Sequence, residues 1–294
     1  MESTIIGPLA GHALRNDPVS VQASRRIAVG DRTMLALSDG FFSMEGHRTF
    51  LGSPEHPTGG YDVLHQLHGE VRLPLGCFLL PGDPTVLIDA GVGPVDLMDL
   101  GVLVGGNLPN QMARQGFRPD DIDIVALSHL HLDHIGWVAT PDGEPVFRNA
   151  VIHAGRADWE YFIDTDDEER ALPEHLRVVF ETQAERGLVT LHDGDALVAP
   201  GVTRLAAPGH TPGHALYAVH DHGDRALLFG DAMYCPQQLT HSDWAAMSDV
   251  DAALARATRE RYLRDVDAHG GAVVGCHFPE LQAGRVVGGT WQPG

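Results

Sequence analysis

Lysine is absent from this chain of 294 residues, so all 20 of its basic side chains are arginine. Without lysine there is no Walker-type phosphate loop, because that loop's lysine is what reaches the phosphates. Acidic side chains outnumber basic ones 40 to 20, for a formal net charge of -20. A surface of that sign repels a phosphate backbone, which argues against a nuclease and against nucleic acid as a partner. Cysteine is scarce: Cys77, Cys235 and Cys276 are too few, and odd in number, for a disulfide framework. No apolar run approaches a membrane span, and residues 1–25 contain no apolar core long enough for a secretory signal. No membrane partner and a cytoplasmic location are therefore expected. A Gly-x-Ser-x-Gly elbow is missing too, which leaves serine-hydrolase chemistry without a nucleophile. Nor is there a long Pro/Gly/Ser-rich linker or low-complexity tract. The expectation is one domain over 1–294, with 1–25 as an N-terminal extension.

What the chain does contain is a dense group of metal-binding side chains. After the apolar run 124–127 comes Ser-His129-Leu-His131-Leu-Asp133-His134, three imidazoles and a carboxylate within six positions. Neutral imidazole and carboxylate suit zinc and its first-row neighbours. On an irregular turn, His129 and His131 can converge on one ion while Asp133 and His134 face a second. Further ligands follow downstream. Pro208-Gly-His210-Thr-Pro-Gly-His214 sets an imidazole in a rigid turn between the strand-like runs 202–206 and 215–219. Leu227-Leu-Phe-Gly-Asp231 is an apolar strand tipped by a carboxylate, a natural shape for a bridging ligand. Val273-Val-Gly-Cys276-His277 repeats that design with an imidazole. Adjacent side chains on a strand face opposite ways, so Cys276 reads as a core residue beside a ligand rather than as a thiolate ligand.

In this order, Leu87-Ile-Asp89-Ala-Gly91, the HLHLDH cluster, PGHTPGH, Gly230-Asp231 and His277 resemble the metallo-β-lactamase fold superfamily. The resemblance spans about residues 25 to 280. It implies an α/β fold, a four-layer αβ/βα sandwich with metals at one edge. It also implies two divalent ions: His129, His131 and His210 on the first, Asp133, His134 and His277 on the second, and Asp231 bridging. His214 and Asp89 are then expected to orient ligands rather than touch metal. Zinc is the expected metal, although such sites also accept manganese, iron, cobalt or nickel.

Two dications about 3.5–4 Å apart lower the pKa of a shared water from about 15.7 towards about 7, so hydroxide is at hand to attack an electrophile. Asp133 is a candidate to carry the proton to the leaving group. Tyr234, three residues beyond Asp231, is the candidate donor to the developing oxyanion. A tyrosine there resembles the N-acyl-homoserine lactonases of the superfamily, whereas Cys235-Pro-Gln-Gln-Leu and Trp244 look more like its organophosphate hydrolase branch. The leading expectation is opening of an ester, a lactone first. Phosphotriester or aryl-ester hydrolysis is the alternative. A β-lactamase, a thioesterase of the glyoxalase II type and a one-iron sulfur dioxygenase rank lower.

Substrate shape is only faintly encoded. Residues 154–186 read as a helical insertion near the site, with a helix over 173–186 and another over 250–269. Its Trp159, Tyr161 and Phe162 either line the pocket or pack the helix, and its acidic run 164–169 reads as a solvated face. The apolar stretch 101–108 is a second pocket wall or a dimer contact, which leaves a homodimer open.

Overall fold

Successive side chains of a strand point to opposite faces, and here both faces are apolar. In the strand Arg32–Glu45, Met34 and Ala36 enter one core while Leu35 and Leu37 enter another. Phe78 and Leu80 part from Cys77 and Leu79 in the same way, as do Val86 and Ile88 from Leu87. A sheet with two apolar faces must be covered on both, and this one is. The computed structural model describes residues 24–53, 66–67, 70–97 and 101–294.

Among the described residues, ten strands join in one sheet. Its main path runs Val189–His192, Val151–Gly155, Ile124–Ala126, Val86–Ile88, Glu70–Leu80, Arg32–Glu45, Val102–Val104, Asp96–Leu97. Seven others form a second sheet in the order Ala196–Ala199, Val202–Ala206, Ala215–Asp221, Asp224–Leu228, Ala272–Val274, Gly284–Val287, Thr290–Pro293. Between the sheets lies a core that includes Met34, Phe78, Ile88, Tyr217, Leu228 and Val274. The far face of the first sheet packs on helices Leu108–Arg114, Arg156–Phe162 and Glu174–Glu185, and that of the second on Ala252–His269. This is the αβ/βα sandwich expected from the sequence.

The two longer helices fall where the periodicity places them. Ala252–His269 starts at Asp251, whose carboxylate accepts from Leu254 N at 2.9 Å, and ends at Gly270 with φ 66°. Such a cap satisfies an amide that the first helical turn leaves unpaired. Of the N-terminal extension, 1–23 lie outside the described residues, and Arg25 already belongs to the strand Ser24–Val29. Among the described residues no helix is long and apolar enough to cross a membrane.

The strands Val86–Ile88, Ile124–Ala126 and Val151–Gly155 are parallel, as are Asp224–Leu228 and Ala272–Val274 in the other sheet. Their carboxyl ends therefore open on one side of the molecule, where a sheet of this kind offers its crevice. Asp89, the His129 cluster, Asp231 and His277 each follow one of these ends within a few residues.

Candidate metal centre

The HLHLDH segment is less irregular than expected, because Leu132–Ile135 forms a single helical turn after His131. That turn brings Asp133 and His134 to His277, with the His134 ring still 4.1 Å from that of His129. His131 Nδ1 lies 2.9 Å from His129 Nε2 and 2.9 Å from His210 Nε2. On the other side, His134 Nε2 and His277 Nε2 stand 3.5 and 3.6 Å from Asp133 Oδ2.

Asp231 stands between the two groups and divides its oxygens. Oδ2 is 3.4 Å from His210 Nε2 and 3.9 Å from His129 Nε2, whereas Oδ1 is 3.2 Å from His134 Nε2 and 3.1 Å from His277 Nε2. Its backbone is pinned by His214, whose Nε2 accepts from Asp231 N at 3.0 Å while Nδ1 donates to the Ala207 carbonyl at 3.1 Å. Gly230 before it has φ +51°, and a Cβ there would meet His214 Nε2 at 2.8 Å, so only glycine lets the strand end come this close.

Hydrogen bonds on the outer side of each ring set its tautomer. His134 Nδ1 is 2.9 Å from Asp89 Oδ2, His277 Nδ1 is 2.8 Å from the Pro74 carbonyl and His210 Nδ1 is 2.9 Å from Asp249 Oδ1. His129 Nδ1 lies 3.0 Å from Ser128 Oγ, which itself donates to Asp89 Oδ2 at 2.9 Å. With the proton on Nδ1 in all four rings, each Nε2 lone pair faces inward. Asp89 takes φ 59°, a left-handed backbone uncommon for a non-glycine, and Ser128 N and Oγ hold its carboxylate by donating to it at 2.7 and 2.9 Å.

His134 Nε2 and His277 Nε2 are buried and make no hydrogen bond. Buried polar atoms are nearly always satisfied, so lone pairs facing a carboxylate at 3.1–3.2 Å mark a place for a cation. At this site two buried groups have the reach to hold one: His129, His131, His210 and Asp231, and His134, Asp231, Cys276 and His277. The donor set suits two divalent ions.

Charge separates the groups as well. Burial, then the neighbouring His210, brings His131 down to about 3, and burial puts His129 well below the usual imidazole value. Burial also acts to lower His134, yet the carboxylates of Asp231, Asp133 and Asp89 hold it well above that value. His129 and His131 are thus neutral and ready to donate, while the carboxylates around His134 draw positive charge to the place its Nε2 faces.

Cys276 packs in the core between the sheets, as expected, although it lies beyond the end of Ala272–Val274, where strand alternation no longer applies. Its thiol donates to Asp231 Oδ1 at 3.2 Å.

Beside the two groups is a cavity of about 230 Å³. Phe42, Leu73, Val92, Leu103 and Met247 form its apolar side, and His131, Asp133, Tyr234, Ser248 and His277 its polar side. The stretch 101–108 does supply a wall, through Leu103. The aromatics of the insertion do not. Trp159 and Phe162 are buried in the helix-side core, with Phe162 edge-on to His131 at 5.5 Å, and Tyr161 lies under Arg170. Helical spacing brings such residues to a core as readily as to a pocket. Tyr234 stacks on His277, with ring centroids 4.7 Å apart, and its hydroxyl is 3.0 Å from Ser248 Oγ. Burial, then the charges of Asp231 and Asp133, raise the phenol well above its usual pKa, so it is protonated at neutral pH.

The four-layer fold and the paired histidine-carboxylate groups define a metal-dependent enzyme scaffold. Residues 77–277 match the Metallo-beta-lactamase superfamily, and the chain belongs to it. It is similar to an N-acyl homoserine lactonase of Bacillus thuringiensis, 28% identical over 207 residues that span 64% of this chain and 76% of that one. A probable metallo-hydrolase of Mycobacterium tuberculosis is 29% identical over 52% of this chain and 54% of its own. Among solved structures, AidC, a dizinc quorum-quenching lactonase, aligns with a TM-score of 0.77 at 20% identity, covering 93% of this chain and 97% of that one. The hydrolase AbOPH aligns with a TM-score of 0.78 at 22% identity over 94% and 98%.

Proposed function

We propose that the protein is a dinuclear metal-dependent hydrolase that opens lactones, with zinc as its metal. The division of the Asp231 oxygens between two histidine groups carries this reading. His129, His131 and His210 would hold the first ion, Asp133, His134 and His277 the second, and Asp231 both. When bound, a pair of divalent ions supplies Lewis acidity and a water acidic enough to be a nucleophile at neutral pH.

The chain's own groups do the rest. Asp133 lines the cavity with 27% of its side chain exposed, so its carboxylate can pass a proton between the reacting centre and the departing oxygen. Tyr234 keeps its proton and can donate it to the oxygen on which charge develops. Phe42, Leu73, Leu103 and Met247 offer an apolar acyl group a dry surface, and among the described residues no arginine lines the cavity to hold an anion. The names of its relatives favour acyl lactones. A second reading, aryl esters or phosphotriesters, rests on the likeness of Cys235-Pro-Gln-Gln-Leu and Trp244 to the organophosphate hydrolase branch; Gln238 of that segment accepts from Tyr234 N at 2.7 Å and donates to the Trp244 carbonyl at 2.9 Å, which fixes the tyrosine.

A panel of acyl lactones, aryl esters, phosphotriesters, a thioester and a β-lactam, run on protein of measured metal content, tests the proposal. Acyl lactones are expected to turn over fastest, and Tyr234→Phe is expected to lose about 10²-fold in kcat with two ions retained. Undiminished turnover in that variant removes the phenol from the mechanism, and a preference for phosphotriesters promotes the second reading.

A further inference from the structure

Within 246–250, three consecutive residues meet three different parts of the site. Met247 forms cavity wall, Ser248 bonds the Tyr234 phenol and Asp249 bonds His210. The segment is tied down on both flanks. Met247 N donates to the Thr49 carbonyl at 3.1 Å, Val250 N to the His210 carbonyl at 3.0 Å and Asp251 N to the Gly209 carbonyl at 2.9 Å. The second oxygen of Asp249 accepts from Ala246 N at 3.0 Å, so the carboxylate has a fixed orientation, and its side chain is only 1% exposed.

Each histidine group contains one ring backed by a buried carboxylate. In the second group this is His134, held by Asp89, while His277 leans on the neutral Pro74 carbonyl. In the first it is His210, held by Asp249, while the nearest outer partner of His129 is the Ser128 hydroxyl. An anionic partner fixes the ring and makes the facing nitrogen a stronger donor, and loss of such a partner commonly weakens metal binding about 10–100-fold. The two carboxylates touch different rings, so they act on different ions.

Resting on the ligand sets above, we propose that Asp249 is the positioning residue of the first ion. It acts only through His210, and so governs that ion without governing the second. Asp89 has the matching role on the other side, but it sits in the Leu87-Ile-Asp89-Ala-Gly91 strand end, whereas Asp249 comes from a loop that carries no motif.

Zinc retention tests this without reference to any substrate. Wild type, Asp249→Asn and Asp249→Ala are loaded with zinc, challenged with graded chelator, and assayed for zinc per chain, with circular dichroism in excess zinc as the check on folding. Wild type is expected to keep two equivalents. Asp249→Ala is expected to give up one of them at about 10–100-fold lower chelator strength and to hold the other as wild type does. Asp249→Asn, which can still accept the Nδ1 proton but has no charge, is expected to show a several-fold loss in the same equivalent. Equal retention in all three proteins overturns the proposal, as does equal weakening of both equivalents. If the alanine variant does not fold, the asparagine variant carries the same judgement. A wild-type chain that holds no zinc sinks the hydrolase reading as well, whereas two tightly held equivalents unaffected by either substitution sink only this one.

Discussion

Asp39 gives the sharpest test of how the cavity is built. It falls at the register shift between Ser38 and Gly40 in the strand Arg32–Glu45, where its carboxylate is fully buried. Oδ1 accepts from Leu108 N at 2.7 Å, Trp137 Nε1 at 2.8 Å and Gly106 N at 3.2 Å, and Oδ2 from Val92 N at 2.8 Å and Gly93 N at 3.1 Å. One side chain thus anchors the two loops that present Val92 and Leu103 to the cavity. In Asp39→Asn a single carbonyl oxygen can serve only one side, and the amide then faces at least the N–H groups of Val92 and Gly93. Two buried donors without partners cost about 1–3 kcal/mol each, or about 2–6 kcal/mol together. Part of that is offset because burial already disfavours the charge, raising the Asp39 pKa above its ordinary value, so a net loss of about 2–4 kcal/mol is expected. At about 2–4 °C per kcal/mol for a domain somewhat smaller than this one, the melting temperature should fall by about 5–15 °C. Thermal unfolding followed by circular dichroism, in excess zinc, measures it. A variant that melts within about 1 °C of wild type refutes the account of Asp39 as an anchor.

Other expectations concern the metals, pH and substrate fit. Asp231→Ala should lose both equivalents of zinc rather than one, read by atomic emission after gel filtration, since its oxygens face both groups; a variant that keeps two would end the bridging role. Asp158, which holds Thr211 Oγ1 at 2.8 Å and Gly213 N at 2.6 Å, is pushed up to about 6 by burial in spite of those donors. The folded chain therefore binds this proton more tightly than the unfolded one, and the resulting stability is present at low pH and lost as pH rises from about 4 through about 6, roughly 3 kcal/mol in all. Asp158→Asn removes that dependence, so in chelator the variant should gain on wild type between pH 4 and 7 in urea unfolding; a constant difference would contradict the assignment. Leu103→Trp should raise KM for long-chain acyl lactones about tenfold more than for short ones, with zinc content unchanged. Equal effects on both would place the acyl group elsewhere.

The chemistry of the site was legible because its ligand types are rare and sit at strand ends. Three histidines and an aspartate in six positions, and single carboxylates or imidazoles at the tips of apolar runs, leave few other readings, and the fold brings those seven side chains together. The four layers were legible from two-sided apolar strands. What was hidden depends on tertiary approach alone. Asp39 and Asp249 are carboxylates in polar surroundings until distant loops close over them. Phe42, Leu73 and Met247 come from three separate segments with no shared periodicity. Trp159 and Phe162 have the spacing of a helix face, which says that they are buried but not against what. Cys276 is in the core as expected, but strand alternation is not the reason, because the strand before it ends two residues earlier.

His129, His131, Asp133 and His134 leave the first sheet, whereas His210, Asp231 and His277 leave the second. Each ion would then be gripped from both halves of the sandwich, as a rivet through two plates along their open seam. Prying the plates apart means releasing the rivets, and each contributes about 2.7 kcal/mol when free metal stands a hundredfold above its dissociation constant. Withholding the divalent metal should therefore expose this protein to proteases, and chelation should shorten its lifetime as well as silence it.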